Sequence, residues 1–330
     1  MQLHPEEIPR FYPDATDVAV LHTLIYFDIF HHPLTTDEVH HNCQWEKCTL
    51  SETALALEKM REAGIVKETD GFWLFTGREH LAALRRERNE RALLCGKKAR
   101  RYSKLIASFP FVRGVFISGS LSKGTMDPDG DIDYFILTEP GRLWVARTAL
   151  VAFKKIFLFN SKKYFCVNYF LDTENLSVPD RNLFVATEIS FLKPMHGADV
   201  FGEFMDANQW TSLFYPNRKK TATAGIAHLQ PGMFKRFFEF VFRGKAGDRF
   251  DQLTRRVTVW FWKKKFRHVP AEDFEVRFRS TKKTSKHHPN GFQERVKAAM
   301  EERRKSLGSE WNFSLPAQTW EWKTSLAEEK

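Results

Sequence analysis

The sequence predicts an α+β fold. One apolar strand ends at Gly119-Ser120, and a second opens at Asp131 after a short polar loop. A helical segment with an apolar stripe follows at residues 142–159, and a third apolar strand follows within residues 163–176. Helical patterns dominate much of the remaining chain.

Length and composition restrict the class of protein. With 330 residues, 42% of them hydrophobic and 14% aromatic, the chain is long enough for two or three folded domains rather than a disordered segment. Its four cysteines are too few and too scattered for a disulfide framework. No apolar run reaches the roughly 18 residues of a membrane span, and the N-terminus lacks a signal-peptide core. We therefore expect a cytoplasmic protein with no membrane partner.

Residues 1–77 predict a winged-helix-like domain. Two capping boxes, Thr35 to Glu38 and Thr49 to Glu52, start its second and third helices, and a hairpin turns at Asp70-Gly71. The third helix has a net charge of −1 over residues 51–63. Non-specific affinity for DNA comes mostly from basic side chains that neutralise phosphates. This charge favours a structural or protein-binding role, and DNA binding stays the alternative.

The basic residues are concentrated in two segments. A connector helix is predicted at 78–108, and residues 78–104 hold ten Lys or Arg and three Glu, a net of +7. A helical basic C-terminal region is predicted at 216–330, and residues 252–310 hold sixteen Lys or Arg and seven acids, a net of +9. These segments predict either a cleft for a nucleic acid or a flexible loop that reaches a nucleotide triphosphate. The loop residues are Lys282, Lys283, Lys286, His287 and His288.

Two other features of the C-terminal region are an apolar helical stripe and a tail with two tryptophans. Apolar residues at helical spacing predict one stripe, formed by Phe250, Leu253, Val257, Trp260 and Phe261. The tail with Trp320 and Trp322 is expected to pack back on the body or to bind a partner.

Asp131 and Asp133 are the candidate metal ligands. Side chains alternate across a strand, so these two carboxylates point to the same face. Mg²⁺ takes few protein carboxylates and fills its other positions with water and phosphate oxygens. Two carboxylates beside a small-residue turn therefore predict a pocket for a metal-bound nucleotide.

This order of parts resembles the signature of the DNA polymerase β-like nucleotidyltransferase superfamily. The resemblance covers about residues 111–171 and implies a nucleotidyltransferase core at 109–215, built as a mixed sheet with flanking helices. It implies that Gly119 and Ser120 bind the phosphates of an NTP, with Lys123 assisting. It also implies that Asp131 and Asp133 are catalytic and hold Mg²⁺, or Mn²⁺ in its place.

The sequence departs from this family at the third carboxylate. The expected position on the next strand holds Asn168, and an amide binds metal weakly and cannot act as a base. Asp172 has the same strand parity and is the best remaining catalytic candidate. Glu188 is a weaker one, because a partly buried acid is more often paired with a Lys or Arg.

Three functions remain open at this point. The first is an enzyme that moves a nucleoside monophosphate from an NTP to a hydroxyl on a protein, nucleic acid, nucleotide or other small molecule. The second is a winged-helix regulator that senses nucleotides without turnover, which Asn168 favours. A third, a component of a defence or antitoxin pair, has no sequence feature for or against it.

Overall fold

The computed structural model describes residues 11–226, 230–287, 291–311, 313–317 and 319–321. His288 and Trp322, which the sequence analysis singled out, lie outside these ranges. In chain order the described helices are α1 Ala15–Asp28, α2 Thr36–His41, α3 Leu50–Glu62, α4 His80–Ala107, α5 Gly119–Ser122, α6 Leu143–Phe157, α7 Leu183–Ser190, α8 Ala198–Ala207, α9 Thr211–Phe214, α10 Met233–Val241, α11 Gly244–Lys265, α12 Ala271–Arg277 and α13 Phe292–Glu310.

The described strands form one hairpin and one five-stranded sheet. They are β1 Val66–Thr69, β2 Phe72–Phe75, β3 Val112–Ser118, β4 Asp133–Thr138, β5 Cys166–Asp172, β6 Lys193–His196 and β7 Thr284–Lys286. The sheet order is β6-β3-β4-β5-β7, and only the β4–β5 pair is parallel. Helix α6 makes the crossover that a parallel pair requires. The predicted α+β fold with a mixed sheet and flanking helices is confirmed.

The N-terminal elements occur in the predicted order of three helices and a hairpin. Both predicted capping boxes are present, with Thr35 capping α2 and Thr49 capping α3. Leu34 pairs with Trp73, which ties the α1–α2 connection to the hairpin. The winged-helix assignment and the domain boundaries stay predictions.

The two faces of the central sheet are both buried. Phe116, Phe135 and Leu171 point to a face covered by α7, α8 and the N-terminal helices. Val115 and Ile136 belong to the cluster on the opposite face, together with side chains of α4 and α6. Alternation along each strand therefore supplies two cores, and one of them is continuous with the N-terminal elements.

Helix α11 attaches the C-terminal region to the sheet domain. The carboxylate of Asp251 accepts hydrogen bonds from the backbone N–H groups of Trp144, at 2.8 Å, and Val145, at 3.0 Å. These N–H groups belong to the first turn of α6, which has no helical acceptor for them. Burial raises the pKa of Asp251 to about 6.

Two edge strands were missed by the sequence analysis. Both β6 and β7 are very short, and their residues have weak strand propensity. The expectation of a flexible loop is wrong for Thr284–Lys286, which pairs with β5. Helix α4 begins and ends within a few residues of the predicted connector. Within the described residues, every helix is too short or too polar to cross a membrane.

Candidate active site

A cavity of about 530 Å³ lies where β3 ends and β4 and β5 begin. Its walls come from the Gly-Ser turn, the starts of β4 and β5, helix α7, the N-terminal helices and the β7–α13 segment. All the site residues predicted from sequence line it, apart from Asp172. The structure therefore brings Gly119, Ser120, Lys123, Asp131 and Asp133 together.

Gly119 is required at its position for two reasons. Its φ is +66°, in the left-handed region that L side chains rarely adopt. A Cβ on this residue would lie 2.7 Å from Oδ2 of Asp133, well inside normal contact distance. The absence of a side chain thus lets the turn backbone touch a carboxylate of the site. The helix that follows, α5, is only one turn long, so the turn offers backbone N–H groups without a long helix dipole.

Asp131 and Asp133 place negative charge in a partly buried position. Asp133 is the first residue of β4, and Asp131 lies two residues before it. Burial, together with the charges of Asp131 and Glu188, raises the pKa of the Asp133 carboxyl to about 6. Carboxylates that repel one another in this way form a site that a cation stabilises.

Asn168 contacts the carboxylate pair directly. Its Nδ2 donates a hydrogen bond to Oδ1 of Asp133 at 3.1 Å and contacts Sγ of Cys166 at 3.0 Å. The residue at the family's third acid position therefore orients a metal-ligand candidate. With its N–H turned to Asp133, Asn168 acts as a donor at that carboxylate.

The expectation that Asp172 reaches this site is wrong. In the parallel β4–β5 pair, Asp133 lies beside Cys166 and Thr138 lies beside Asp172. Asp172 is thus at the far end of β5, roughly 20 Å from the carboxylate pair at about 3.3 Å per residue. The β4–β5 register also shifts between Tyr134 and Phe135, so Asp172 follows the alternation of Phe170, which packs on the other face of the sheet from Phe135. Parity counted along the sequence therefore identified neither the face nor the end of the strand.

Lys123 forms an ion pair with Glu188. Nζ of Lys123 lies 2.7 Å from Oε1 of Glu188 and donates to the carbonyl oxygen of Gly119 at 3.3 Å. Both residues line the cavity. The sequence analysis treated pairing with a basic residue as an alternative to a place at the site. Glu188 does both, because its ion pair with Lys123 forms part of the cavity wall.

Several cavity residues could not be found from local sequence. Arg88 in α4 donates to Asp127 at 2.6 Å and to the carbonyl oxygens of Phe30 and His31. Other lining residues come from distant segments, namely Phe27, His32, Phe184 and Phe292. Lys286 and His287, by contrast, were among the loop residues that the sequence predicted to reach a nucleotide, and both line the cavity, where Lys286 forms an ion pair with Asp180 at 3.2 Å. For Arg88 the only sequence signal was the basic character of α4.

Comparison with protein families identifies the central part of the chain. Residues 100–197 match the family model described as a nucleotidyltransferase domain. This part of the chain is a nucleotidyltransferase domain. The matched segment contains four of the five sheet strands, the Gly-Ser turn and both site aspartates. Strand β7 and the N-terminal wall of the cavity lie outside it. Searches of curated proteins and of solved structures give no match.

Proposed function

We propose that the protein transfers a nucleoside monophosphate from an NTP to a hydroxyl acceptor and releases pyrophosphate. The observation that carries the proposal is the contact of the Gly119 turn with Asp133, at the edge of a cavity that Asp131 also lines. In this arrangement, a glycine turn of the kind that binds phosphate through backbone N–H groups lies beside two carboxylates. The cavity is large enough for a nucleotide and has apolar rings on one side.

The carboxylate pair suits Mg²⁺ or Mn²⁺ that arrives with the nucleotide. Within the described residues, no group of three or more His, Cys, Asp or Glu side chains could hold a metal ion. Mg²⁺ needs only one or two protein carboxylates when phosphate oxygens and water complete its shell. Asp131 and Asp133 would be its protein ligands. When bound, the metal would neutralise part of the negative charge on the phosphates.

The remaining roles belong to the chain itself. In the proposed reaction the acceptor oxygen forms a bond to the α-phosphorus while the bond from that phosphorus to the pyrophosphate oxygen breaks. The hydroxyl proton passes to solvent. Backbone N–H groups at Gly119 and Ser120 bind the phosphates, Lys123 supplies charge near them, and Asn168 holds Asp133 in orientation.

The acceptor is proposed by class only. A protein side chain, a nucleic-acid end, a second nucleotide or another small molecule each offers the required hydroxyl. Arg88 and Lys286 bring cations to the cavity wall from the two basic segments, although both are paired with aspartates. An acceptor that carries phosphate would compete for these cations.

The test is transfer from each α-labelled NTP, with Mg²⁺ or Mn²⁺, in the presence and absence of cell extract. We expect label in an acceptor with the wild-type chain and none with the Asp131→Asn/Asp133→Asn variant. Asp129→Asn is the matched control, because Asp129 is exposed in the same loop and does not line the cavity. The proposal fails if the double variant transfers label at the wild-type rate.

A second function, nucleotide sensing without turnover, is favoured by Asn168. Its amide occupies the position where the family places a third acid, and it is engaged with Asp133. Wild-type protein that binds NTP and metal but labels nothing would support sensing. Asn168→Asp then tests the cause, because turnover gained by this variant would show that the amide alone blocks catalysis.

A further inference from the structure

Helix α10 is amphipathic but presents its apolar side to solvent. None of its residues is buried, and Met233 and Phe240 expose 86% and 75% of their surface. Two of its polar side chains, Lys235 and Glu239, point inward instead. Lys235 donates to the carbonyl oxygens of Ala107 and Val112 at 3.0 and 2.7 Å, and Glu239 accepts a 2.8 Å bond from Arg113. Surface helices of folded proteins normally have the opposite orientation.

Helix α11 continues this apolar surface. Its inner side buries Asp251 and Trp262 against the body, whereas its other apolar residues are exposed. The rings of Phe242 and Phe250 lie 4.9 Å apart and connect the two helices. We call this surface the α10–α11 face. Its exposed apolar members are Met233, Phe234, Phe237, Phe240, Val241, Phe250, Leu253, Val257, Trp260 and Phe261.

The C-terminal end of α6 borders the same surface. Phe157 and Phe159 are exposed there, and Nζ of Lys155 lies 5.9 Å from the ring centre of Phe261. A cluster of this size is unusual on a folded protein, where exposed apolar side chains are normally scattered. The cluster therefore marks a surface that meets something apolar.

Exposed cations flank the apolar residues. They are Arg236, Arg243, Lys245, Arg249, Arg256, Lys263, Lys264, Lys265 and Arg267. Across the described residues, none of these nine side chains forms an ion pair with an acid. Nζ of Lys264 lies 5.5 Å from the ring centre of Trp260, so cations and aromatic rings are interleaved. The face thus combines exposed apolar side chains with unpaired cations.

These properties restrict the kind of partner that can cover the α10–α11 face. A second copy of the chain would bring like charges together around the contact. A nucleic acid would satisfy the cations but leave aliphatic residues such as Leu253 and Val257 in water. An anionic lipid surface satisfies both parts, because acyl chains receive the apolar side chains and headgroups meet the cations. Trp and Phe are also the residues that interfacial helices use.

We propose that the α10–α11 face docks the protein on membranes that contain anionic lipids. The expectation of no membrane partner was based on the lack of a spanning segment, and surface binding does not need one. The proposal rests on these exposed helices alone, so it does not depend on whether the protein transfers nucleotides.

The test is co-sedimentation of the full chain with vesicles of phosphatidylcholine alone or of phosphatidylcholine and phosphatidylglycerol at about 2:1. We expect binding only to the anionic vesicles, with release at about 0.5 M salt, where charges are screened within a few ångströms. Phe237→Ser/Phe240→Ser should weaken partitioning at least about tenfold. Lys263→Gln/Lys264→Gln/Lys265→Gln should weaken it about a hundredfold.

The matched control is Leu93→Ser/Leu94→Ser on α4, where two exposed leucines do not belong to the α10–α11 face. This variant should bind like wild type, and thermal melts should show that all variants fold. The proposal is overturned if the wild-type chain does not bind anionic vesicles, or if the face variants bind as well as the control. A dimer in sedimentation equilibrium that Phe237→Ser/Phe240→Ser dissociates, without vesicle binding, would assign the face to a second copy.

Discussion

The cavity and the α10–α11 face contain the same kinds of side chain, aromatic rings and cations, but they differ in their acids. In the cavity wall Lys123 is paired with Glu188 and Lys286 with Asp180, while Asp131 and Asp133 add further negative charge. Among the described residues, the nine exposed cations of the α10–α11 face have no acidic partners. One region is concave and rich in acids, whereas the other is exposed and positive.

This difference shows why cations and aromatic rings do not by themselves identify a ligand. Carboxylates in a concave site suit a small, highly charged ligand that carries a metal ion, because the acids hold the metal and the backbone holds phosphate. Unpaired cations around an exposed apolar surface suit an extended anionic surface. If the two regions are separate sites, a change in one should leave the other unaffected.

The largest effect is expected from Gly119→Ala in the cavity. Its Cβ would lie 2.7 Å from Oδ2 of Asp133, so the carboxylate has to move. We expect transfer to fall about a hundredfold or more, the usual result of misplacing a catalytic group by an ångström. Vesicle binding should not change.

Gly124→Ala is the matched control for this prediction. Gly124 also has positive φ, at +76°, but a Cβ there would meet nothing within 4 Å. It should cost about 1 kcal/mol of stability and retain most of the activity. Equal loss of activity in the two variants would show that backbone strain, rather than contact with Asp133, explains the effect.

The second prediction compares the apolar stripes of two neighbouring helices. Leu150 of α6 is fully buried, whereas Leu253 of α11 is 55% exposed. We expect Leu150→Ala to lower the free energy of unfolding by about 3 kcal/mol, and Leu253→Ala to lower it by less than about 1 kcal/mol. Urea unfolding followed by circular dichroism measures both. Similar losses would mean that Leu253 is covered in solution.

The third prediction contrasts a buried basic side chain with the exposed ones. His22 in α1 is buried and its ring Nε2 lies 3.1 Å from the carbonyl oxygen of Pro316. Burial lowers the pKa of His22 to about 4, below its value of 6.5 in an unfolded chain. Protonation therefore favours unfolding, so stability is full above about pH 6.5 and falls as the pH drops toward 4.

Between about pH 7.5 and pH 5 this histidine should remove about 2 kcal/mol of stability. His22→Gln should flatten that part of the pH profile, measured by urea unfolding at each pH. His268→Gln is the control, because His268 is exposed. An unchanged slope in His22→Gln would assign the acid sensitivity to other groups, of which His32 is one, since burial also lowers its pKa.

The smallest effect is expected from the cations of the α10–α11 face. Lys263→Gln/Lys264→Gln/Lys265→Gln should change the free energy of unfolding by less than about 0.5 kcal/mol, because these side chains are exposed and unpaired. Lys286→Gln, which removes a partner of Asp180 in the cavity wall, should cost about 1–3 kcal/mol. Thermal melts at matched salt compare the two, and an equal cost would remove the distinction between the regions.

Local sequence patterns determined the centre of the fold and much of the site. The Gly-Ser turn and the alternating aspartates predicted a phosphate and metal pocket, and five of the six predicted site residues, all except Asp172, meet in one cavity. Such patterns are informative because turn conformation and strand alternation depend on residues close in sequence. The capping boxes of α2 and α3 were found for the same reason.

Only the tertiary structure decided which end of a strand and which side of a helix meet the rest of the molecule. Asp172 has the parity of Asn168 in the sequence, but the shifted register of the parallel β4–β5 pair places it on the other face and at the far end of the sheet. The stripes of α6 and α11 have the same periodicity, yet α6 buries most of its stripe and α11 exposes its own. Register and packing depend on partners far away in the chain, so periodicity reveals an apolar side without saying what covers it.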